Sequence, residues 1–316
     1  MLQANELLTS KTNLLKKLGP LLGLLLVSVS LALISEEFLT VSNLLNVARQ
    51  ISLNAIISVG MTLVILTGGI DLSVGSIVAI AGSVTAGLIL QGTGLAVAIG
   101  AALLLGAAIG GFNGLLITRG GVPPFIATMG MMTIVRGYSL IYTDGRPITG
   151  LSEQFRWLGG GYIAGIPVPV VLMVIIFAAA YIFLKQNRYG RYIYAIGGNE
   201  EATRLSGINT KGVLLSVYVI AGFMAALSGI ILTSRLNSAQ PTAGVSFEMD
   251  AIAAVVLGGT SLAGGVGTIG GTLIGAMIIG VLDNGLNLLN VSSFYQQVAK
   301  GVVILLAVLL DRKKSK

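Results

Sequence analysis

The sequence predicts an all-α polytopic membrane protein of about ten transmembrane helices, some of them short or broken, with both termini in the cytoplasm. Three observations support this fold class: an apolar composition, a series of long apolar runs, and an uneven distribution of basic residues. Of the 316 residues, 54% are hydrophobic and 10% are charged, whereas a soluble domain carries about 25% charged residues. Most of the chain is therefore expected to lie in lipid, as one transmembrane domain over residues 1–316.

A transmembrane helix needs about 20 largely apolar residues. Ten apolar runs approach this length, at residues 18–34, 50–67, 74–91, 95–118, 124–142, 168–184, 213–234, 249–263, 267–283 and 293–310. The eighth and ninth runs are short and rich in glycine, which is typical of a broken or re-entrant pair. The first run resembles a signal peptide, but many runs follow it and no small-residue cleavage site ends it, so we interpret it as a retained span.

Basic residues are distributed unevenly between the two sides that ten spans define. With both termini inside, 13 Lys and Arg residues fall in cytoplasmic segments and four fall outside. Because short basic loops stay in the cytoplasm, this bias supports the orientation. Residues 1–17 and 311–316 are then cytoplasmic termini, 185–212 a cytoplasmic loop and 143–167 an external loop. The single tryptophan, Trp157, either belongs to a segment folded over the outer mouth or anchors that external loop at the lipid headgroups.

The cytoplasmic loop is the longest polar interruption in the chain, and it contains one short predicted helix. Asn199 can cap this helix, two acidic residues favour its positive N-terminal end, and Gly207 can end it. The helix comprises Asn199, Glu200, Glu201, Ala202, Thr203, Arg204, Leu205, Ser206 and Gly207. Ala202, Leu205 and Ser206 fall on one face that can fit a groove on a partner, but a plain linker between two spans explains the same pattern.

Two glycine-rich motifs, at residues 68–75 and 258–265, form a weak internal repeat with an offset of 190 residues. Each follows one apolar run and begins the next, and the predicted orientation places both at the cytoplasmic side. The positions of interest are Gly68, Gly69, Asp71, Ser73, Gly258, Gly259 and Ser261. Asp71 is either the N-cap of the third span or the ligand of a coupling ion, and the aligned Ser261, another capping residue, favours the cap.

Several classes of function are disfavoured by what the sequence lacks. With no Cys and no His, there is no thiol nucleophile and no His-based metal or acid–base site, so neither a catalytic nor a metal site is predicted. Residues 265–270 match GxGxxG, but no βαβ unit surrounds them, so we reject a dinucleotide site. No GxxxxGK[ST] loop is present to cradle ATP phosphates, and no module for nucleic acid is recognisable.

Four stretches of the sequence resemble the permeases of bacterial ABC importers, in particular the sugar-importing branch. The short helix, with Glu201-Ala202 followed by Gly207 in a cytoplasmic loop, is similar to the coupling helix of that family. The stretches are GMTLVILTGGIDLSVGS (60–76), RYGRYIYAIGGNEEATRLSGIN (188–209), SAQPTAG (238–244) and DAIAAVVLGGTSLAGG (250–265). The resemblance covers nearly the whole chain, from about Phe38 to Asp311.

This resemblance implies an inner-membrane permease that translocates ribose or a similar monosaccharide into the cytoplasm. It implies a homodimer in which two copies form the pore within membrane lipid. A cytoplasmic ATP-binding subunit would dock on the helix at 199–207, and a periplasmic sugar-binding protein would deliver substrate. ATP and Mg would be bound by the partner subunit, so no cofactor is expected in this chain and the chain itself is not expected to be an enzyme.

Two other classes of function are compatible with parts of the sequence. A proton- or sodium-coupled secondary transporter would use Asp71, and an intramembrane enzyme is disfavoured by the missing His and Cys. Arg136, late in the fifth run, either faces the sugar path or snorkels to the outer interface. Polar residues that suit a sugar path by type alone, but equally suit bridges between helices, are Asn54, Thr62, Thr67, Asn113, Thr128, Asn284 and Asn287.

Overall fold

The computed structural model describes residues 19–314, which fold almost entirely into α-helices. Six helices in this range are long and apolar enough to cross a membrane: α2 (Val41–Leu66), α4 (Leu95–Thr118), α5 (Pro124–Thr143), α7 (Val168–Gln186), α10 (Thr210–Leu236) and α12 (Ile269–Leu288). The others are α1 (Gly19–Ile34), α3 (Val74–Leu90), α6 (Glu153–Gly160), α8 (Arg188–Gly198), α9 (Glu200–Leu205), α11 (Phe247–Leu257) and α13 (Ser293–Lys314). Two short antiparallel pairs join β1 (Ile148–Thr149) to β4 (Ser238–Ala239) and β2 (Tyr162–Ile163) to β3 (Ile166–Pro167).

Each of the ten predicted apolar runs overlaps one of these helices, so an all-α polytopic membrane fold is confirmed at that level. The basic N-terminal segment and Leu18 lie outside the described residues. The largest difference in boundary is at α2, which begins nine residues before the predicted run at 50. Thr40 caps it by accepting a hydrogen bond from the amide of Asn43 at 3.3 Å, and its first turns are too polar to be recognised as part of an apolar run.

Helices α2 and α10 form the centre of the bundle. In the most apolar 18-residue window of α2, 83% of the residues are buried, against 22% in α4. Helices α4 and α10 approach closely through small residues, because a side chain at Gly222 would overlap the carbonyl oxygen of Gly106, and one at Gly110 would overlap that of Tyr218. Such small-residue seams are a general way of packing helices in lipid, where no hydrophobic effect draws them together.

Helix α3 begins level with the middle of α10 rather than at one end of the bundle. Gly229 of α10 packs against the backbone of Val78, and Gly82 packs against Thr233. At a rise of about 1.5 Å per residue, Val74 lies about 6 Å before Val78 along the same direction. That position is level with residue 225, close to the midpoint of the 27-residue α10.

The segment at 237–246 turns back into the protein after α10. Asn237 ends α10 in the left-handed conformation, with φ 52°, and β4 then pairs with β1. Gly244 packs against Gly75, which lies seven residues, or about 10 Å, before Gly82 in α3. Helix α11 therefore begins beside the start of α3, deep within the bundle, and residues 237–246 form a re-entrant segment.

The eighth and ninth apolar runs, at 249–263 and 267–283, were both predicted to be short, but only the first of them forms a short helix. Helix α11 has 11 residues and ends at Leu257, and Gly259, with φ 85°, turns the chain away two residues later. Helix α12 has 20 residues, capped at its start by Thr268, and continues to Leu288. The apolar pattern of the ninth run ends at Asp283 because polar residues follow it, although the helix continues.

The segment at 143–167, predicted to be external, covers one end of α10. Ser234 accepts a hydrogen bond from the amide of Gly159 at 2.7 Å and donates one to the carbonyl of Phe155 at 2.5 Å, which fixes α6 on α10. Trp157 lies on the outer side of α6 and is 52% exposed. The guanidinium of Arg49 lies over the ring of Tyr162, 4.7 Å from its centroid, and so ties the β2–β3 hairpin to α2.

Candidate coupling surface

The predicted cytoplasmic helix is α9, and both of its ends are made as the sequence suggests. The side chain of Asn199 accepts a hydrogen bond from the amide of Ala202 at 2.9 Å. At the other end, Gly207 has φ 83°, and its amide donates to the carbonyl of Arg204 at 3.0 Å. The next amide, of Ile208, reaches the carbonyl of Thr203, which completes a Schellman motif. The α-helical residues are Glu200–Leu205, with Asn199, Ser206 and Gly207 as the caps.

The side chains of α9 are exposed except for that of Thr203, which is buried against the protein. The predicted docking face is therefore open among residues 19–314: Ala202, Leu205 and Ser206 are all exposed, and Leu205 is 74% exposed. Arg204 donates two hydrogen bonds to the carboxylate of Glu201, at 2.6 and 3.0 Å. These bonds lower the pKa of Glu201 below its usual value, so the pair stays ionised at neutral pH.

The sequence pattern did not predict helix α8, which lies immediately before α9. Helix α8 is capped by Asn187, whose side chain accepts from the amide of Tyr189 at 3.0 Å. It buries Ile193 and Ile196 on one side, while Arg191 faces outward. The apolar spacing is a usable signal, but the run is interrupted by three tyrosines and three glycines and lacks an acidic first turn.

The end of α8 touches both glycine-rich junctions directly. A side chain at Gly197 would overlap the carbonyl oxygen of Leu66 and the amide of Gly265, and that amide donates a hydrogen bond to the Leu66 carbonyl at 2.9 Å. Gly264 packs against the backbone of both Gly68 and Gly197. The hydroxyl of Tyr194 adds a hydrogen bond to the carbonyl of Gly267 at 3.0 Å. The end of α8, the end of α2 and the turn after α11 thus meet through backbone atoms.

This arrangement can transmit displacement without a flexible intermediary. Backbone–backbone contacts at glycine leave little room for side chains to absorb movement, because close-packed interiors have low compressibility. A force applied to α9 would act on the end of α2 at Leu66 and on the turn before α12 at Gly265. Helix α2 in turn packs on α10, in the centre of the bundle, and α12 packs on α2.

The two junctions share local structure, although not over their whole length. Each preceding helix ends in a Schellman motif, with φ 80° at Gly68 and 85° at Gly259. Asp71 accepts a hydrogen bond from the amide two residues on, at 2.9 Å, and the aligned Ser261 accepts one from the amide two residues on, at 3.3 Å. The ends of α2 and α11 are 191 residues apart in the sequence, whereas the turns that begin at Asp71 and Ser261 are 190 residues apart. The first junction therefore contains one extra residue.

Asp71 itself is fully buried and is not the N-cap residue of α3. Ser73 occupies that position, and its hydroxyl donates to Asp71 at 2.6 Å instead of capping the helix. Asn113 of α4 donates to the same Ser73 hydroxyl at 2.9 Å, so the group ties α3 to α4. The second carboxylate oxygen of Asp71 has no hydrogen-bond partner among residues 19–314.

Most polar residues selected by type as sugar-path candidates are bonded within the bundle. The Thr62 and Thr272 hydroxyls lie 2.8 Å apart, and Thr128 donates to the carbonyl of Ile70 at 3.2 Å. The remaining bonds are from Asn284 to Asn43, from Gln296 to Asn287, from Asn113 to Ser73 and from Thr67 to the Val64 carbonyl. Within the described chain, the buried Oδ1 atoms of Asn54 and Asn113 have no partner, although Asn113 is bonded through its amide nitrogen.

A buried ionic cluster was not recognised from the sequence. Lys300 of α13 lies 3.0 Å from Asp250 of α11 and 2.9 Å from Asp283 of α12, measured from Nζ to the carboxylate oxygens. The two aspartates are 4% and 5% exposed. Each residue stands alone in an apolar run, and only the fold brings the three together. The cluster fastens α13 and the short α11 to α12.

Comparison with known proteins identifies the family to which this chain belongs. The family described as "Branched-chain amino acid transport system / permease component" matches residues 43–308. The chain belongs to this family of membrane transport permeases, and it is an integral protein of the inner membrane.

Its curated relatives are sugar permeases. The ribose import permease protein RbsC of Bacillus subtilis is 55% identical over 303 residues, covering 95% of this chain and 94% of the relative. The protein of the same name from Escherichia coli K12 is 55% identical over 298 residues, 93% of each chain. The D-allose transport system permease protein AlsC of E. coli K12 is 42% identical over 294 residues, covering 92% of this chain and 90% of the relative. No solved structure matches the chain.

Proposed function

We propose that this chain is the membrane-spanning subunit of an ATP-driven importer for ribose or a similar monosaccharide. The observation that carries the proposal is the exposed helix α9, joined through Gly197 to the ends of α2 and α11. Helix α9 supplies a docking surface for a separate ATP-binding subunit, since the sequence of this chain has no phosphate-binding loop. The 55% identity to ribose import permeases over nearly the whole chain supports ribose as the substrate.

The proposed assembly has three kinds of protein component. Two copies of this chain form the pore in the lipid bilayer, each with about ten spans and both termini in the cytoplasm. A cytoplasmic subunit that binds ATP and Mg docks on α9, and a periplasmic protein delivers the sugar. This chain forms no covalent bond with the sugar and is not itself an enzyme.

The proposed mechanism is mechanical. When the ATP-binding subunits close on ATP, they displace α8 and α9. The contacts of Gly197 with Leu66 and Gly265 pass that displacement to the junctions before α3 and α12. A shift of these helices relative to α10 switches the pore between outward and inward access. The sugar crosses because access alternates, without a chemical change.

The test is sugar uptake into vesicles that contain this chain with its ATP-binding subunit and its binding protein, across a panel of pentoses and hexoses. We expect uptake that requires ATP and all three components, with ribose transported most efficiently. Efficient uptake of another sugar with no uptake of ribose would contradict the ribose assignment. Uptake of no sugar at all would contradict the wider proposal.

A second candidate function is an ion-coupled transporter that uses Asp71. The fully buried carboxylate, with one oxygen lacking a partner in the described chain, is the observation that favours it. Such a carboxylate would bind a proton or sodium ion, and an ion gradient alone would then drive uptake without ATP. Asp71→Asn discriminates between the two functions: retained ATP-driven uptake favours the structural link to Ser73, and loss of uptake in a folded variant favours the ion.

A further inference from the structure

The re-entrant segment at 237–246 is held in place by a charged residue of α5. The guanidinium of Arg136 donates hydrogen bonds through Nη1 to the carbonyls of Pro241 and Ala243, at 2.9 and 2.7 Å. Arg136 is the thirteenth of 20 residues in α5, so it lies about 10 Å from the outer end of that helix. The sequence left open whether this residue snorkels, and its bonds instead point inward to backbone carbonyls.

A carboxylate lies beside the same segment. Glu248, in the first turn of α11, packs its Oε2 against Gly75 at the start of α3, next to the carbonyl of Gly244. No ion pair within 4 Å and no side-chain hydrogen bond engages this carboxylate in the part of the chain that the structure describes. Glu248 and Arg136 are both partly buried.

The open side of this pair faces unfilled space. Thr242, between the two carbonyls that Arg136 binds, is exposed, as is Thr133 one turn before Arg136 on α5. An added side chain at Gly137 would have no atom within 4 Å. A carboxylate and a guanidinium only partly buried at this depth are costly against lipid, so this face borders water or another protein surface.

We propose that Glu248, Arg136 and Thr242 form a sugar-hydroxyl binding subsite about halfway along the translocation path. This inference rests on the proposed function. The two charges compensate each other, so the subsite suits a neutral ligand, and it offers acceptors at Glu248 and donors at Arg136. Each hydroxyl of a monosaccharide is both a donor and an acceptor, so neighbouring hydroxyls can bridge two such groups that are too far apart to pair.

Thiol labelling tests whether the subsite faces water and sugar, and the natural chain contains no cysteine to interfere. Thr242→Cys is compared with Leu104→Cys, which is 73% exposed on the apolar surface of α4. In vesicles of the assembled transporter, we expect a charged methanethiosulfonate reagent to modify Thr242→Cys at least about tenfold faster. Ribose should slow that modification several-fold and leave Leu104→Cys unchanged.

Two results would overturn the subsite. Equal, slow modification of the two cysteines would mean that the surface at Thr242 is covered rather than open to water. A disulfide between two copies at Thr242→Cys would show that a second copy of this chain covers it. Protection by leucine but not by ribose would show that the paired charges bind a zwitterion. ATP-dependent ribose uptake by the natural chain, measured in the same vesicles, separates these failures from failure of the proposed function.

Transport kinetics provide an independent test that does not depend on labelling. Glu248→Gln keeps the shape of the side chain and removes its charge, whereas the control Glu153→Gln changes an exposed acid on α6. We expect Glu248→Gln to raise the KM for ribose about tenfold with the maximal rate within about twofold, and the control to change neither. An unchanged KM, or a lower maximal rate alone, would show that Glu248 has only a structural role.

Discussion

Single glycines, rather than charged side chains, make the closest contacts of the candidate coupling surface. Gly197 is the clearest case, because the carbonyl of Leu66 and the amide of Gly265 occupy the space that a side chain needs. Its neighbour Gly198 has open space around the same position. The two residues are adjacent in the chain, but only Gly197 has no room for a side chain. This difference follows from the fold and not from the local sequence.

Alanine substitutions at these two glycines test that contact. We expect Gly197→Ala to lower the free energy of unfolding by about 1–3 kcal/mol, because the backbone must move to admit the methyl group. It should also lower ATP-dependent uptake more than it lowers the amount of inserted protein. Gly198→Ala should change neither quantity. Equal behaviour of the two variants, in thermal unfolding and in uptake, would disprove a specific role for Gly197.

The buried cluster of Lys300 with Asp250 and Asp283 gives a second prediction at this scale. Lys300→Met leaves two buried carboxylates without their cation, and breaking such a pair costs about 3–5 kcal/mol. Thermal unfolding in detergent should show that loss. The exposed Lys185→Met should stay within about 0.5 kcal/mol of the natural chain. If Lys300→Met unfolds at the natural temperature, the cluster does not hold α13 in place.

Among the elements, the long apolar helices were predictable and the broken ones were not. Composition and run length located a helix in every predicted span, and the caps of α9 at Asn199 and Gly207 followed from residue type. The depth at which α3 and α11 begin was not predictable, because it depends on Gly75 meeting Gly244, 169 residues away. Local sequence also gives no sign that three isolated charges in apolar runs will meet.

The end of α9 provides the element-scale prediction. Gly207 has φ 83°, and its amide takes part in the Schellman motif. Proline cannot adopt that φ and has no amide hydrogen, whereas asparagine tolerates the left-handed region. We expect Gly207→Pro to weaken co-purification of the ATP-binding subunit about tenfold or more, while Gly207→Asn retains it. Glu201→Lys, which removes the pair with Arg204, should also weaken docking.

Normal docking of the ATP-binding subunit by both Gly207→Pro and Glu201→Lys would show that α9 is only a linker. Membrane insertion has to be measured alongside, since a variant that does not insert cannot dock. The exposed position of Glu201 and Arg204 makes a large effect on insertion unexpected.

At the scale of the whole molecule, the described residues form a helical bundle with one exposed segment, α8 and α9, at one end. Helices α2 and α10 form the buried centre, and the two glycine-rich junctions lie at the end of the bundle that α8 and α9 contact. The path proposed at Glu248 and Arg136 lies deeper, where α3 and α11 begin. Displacement at the cytoplasmic end and selection of the sugar within the membrane would therefore involve different residues connected by short helices.

The central claim is that an ATP-binding subunit drives this permease by docking on α9 from inside the cell. Leu205→Cys tests it most directly, since the side chain is 74% exposed and the chain has no other cysteine. An impermeant thiol reagent should modify this cysteine in inside-out vesicles but not in intact cells, and the bound ATP-binding subunit should block the modification. Modification in intact cells, or no protection by the subunit, would contradict the account.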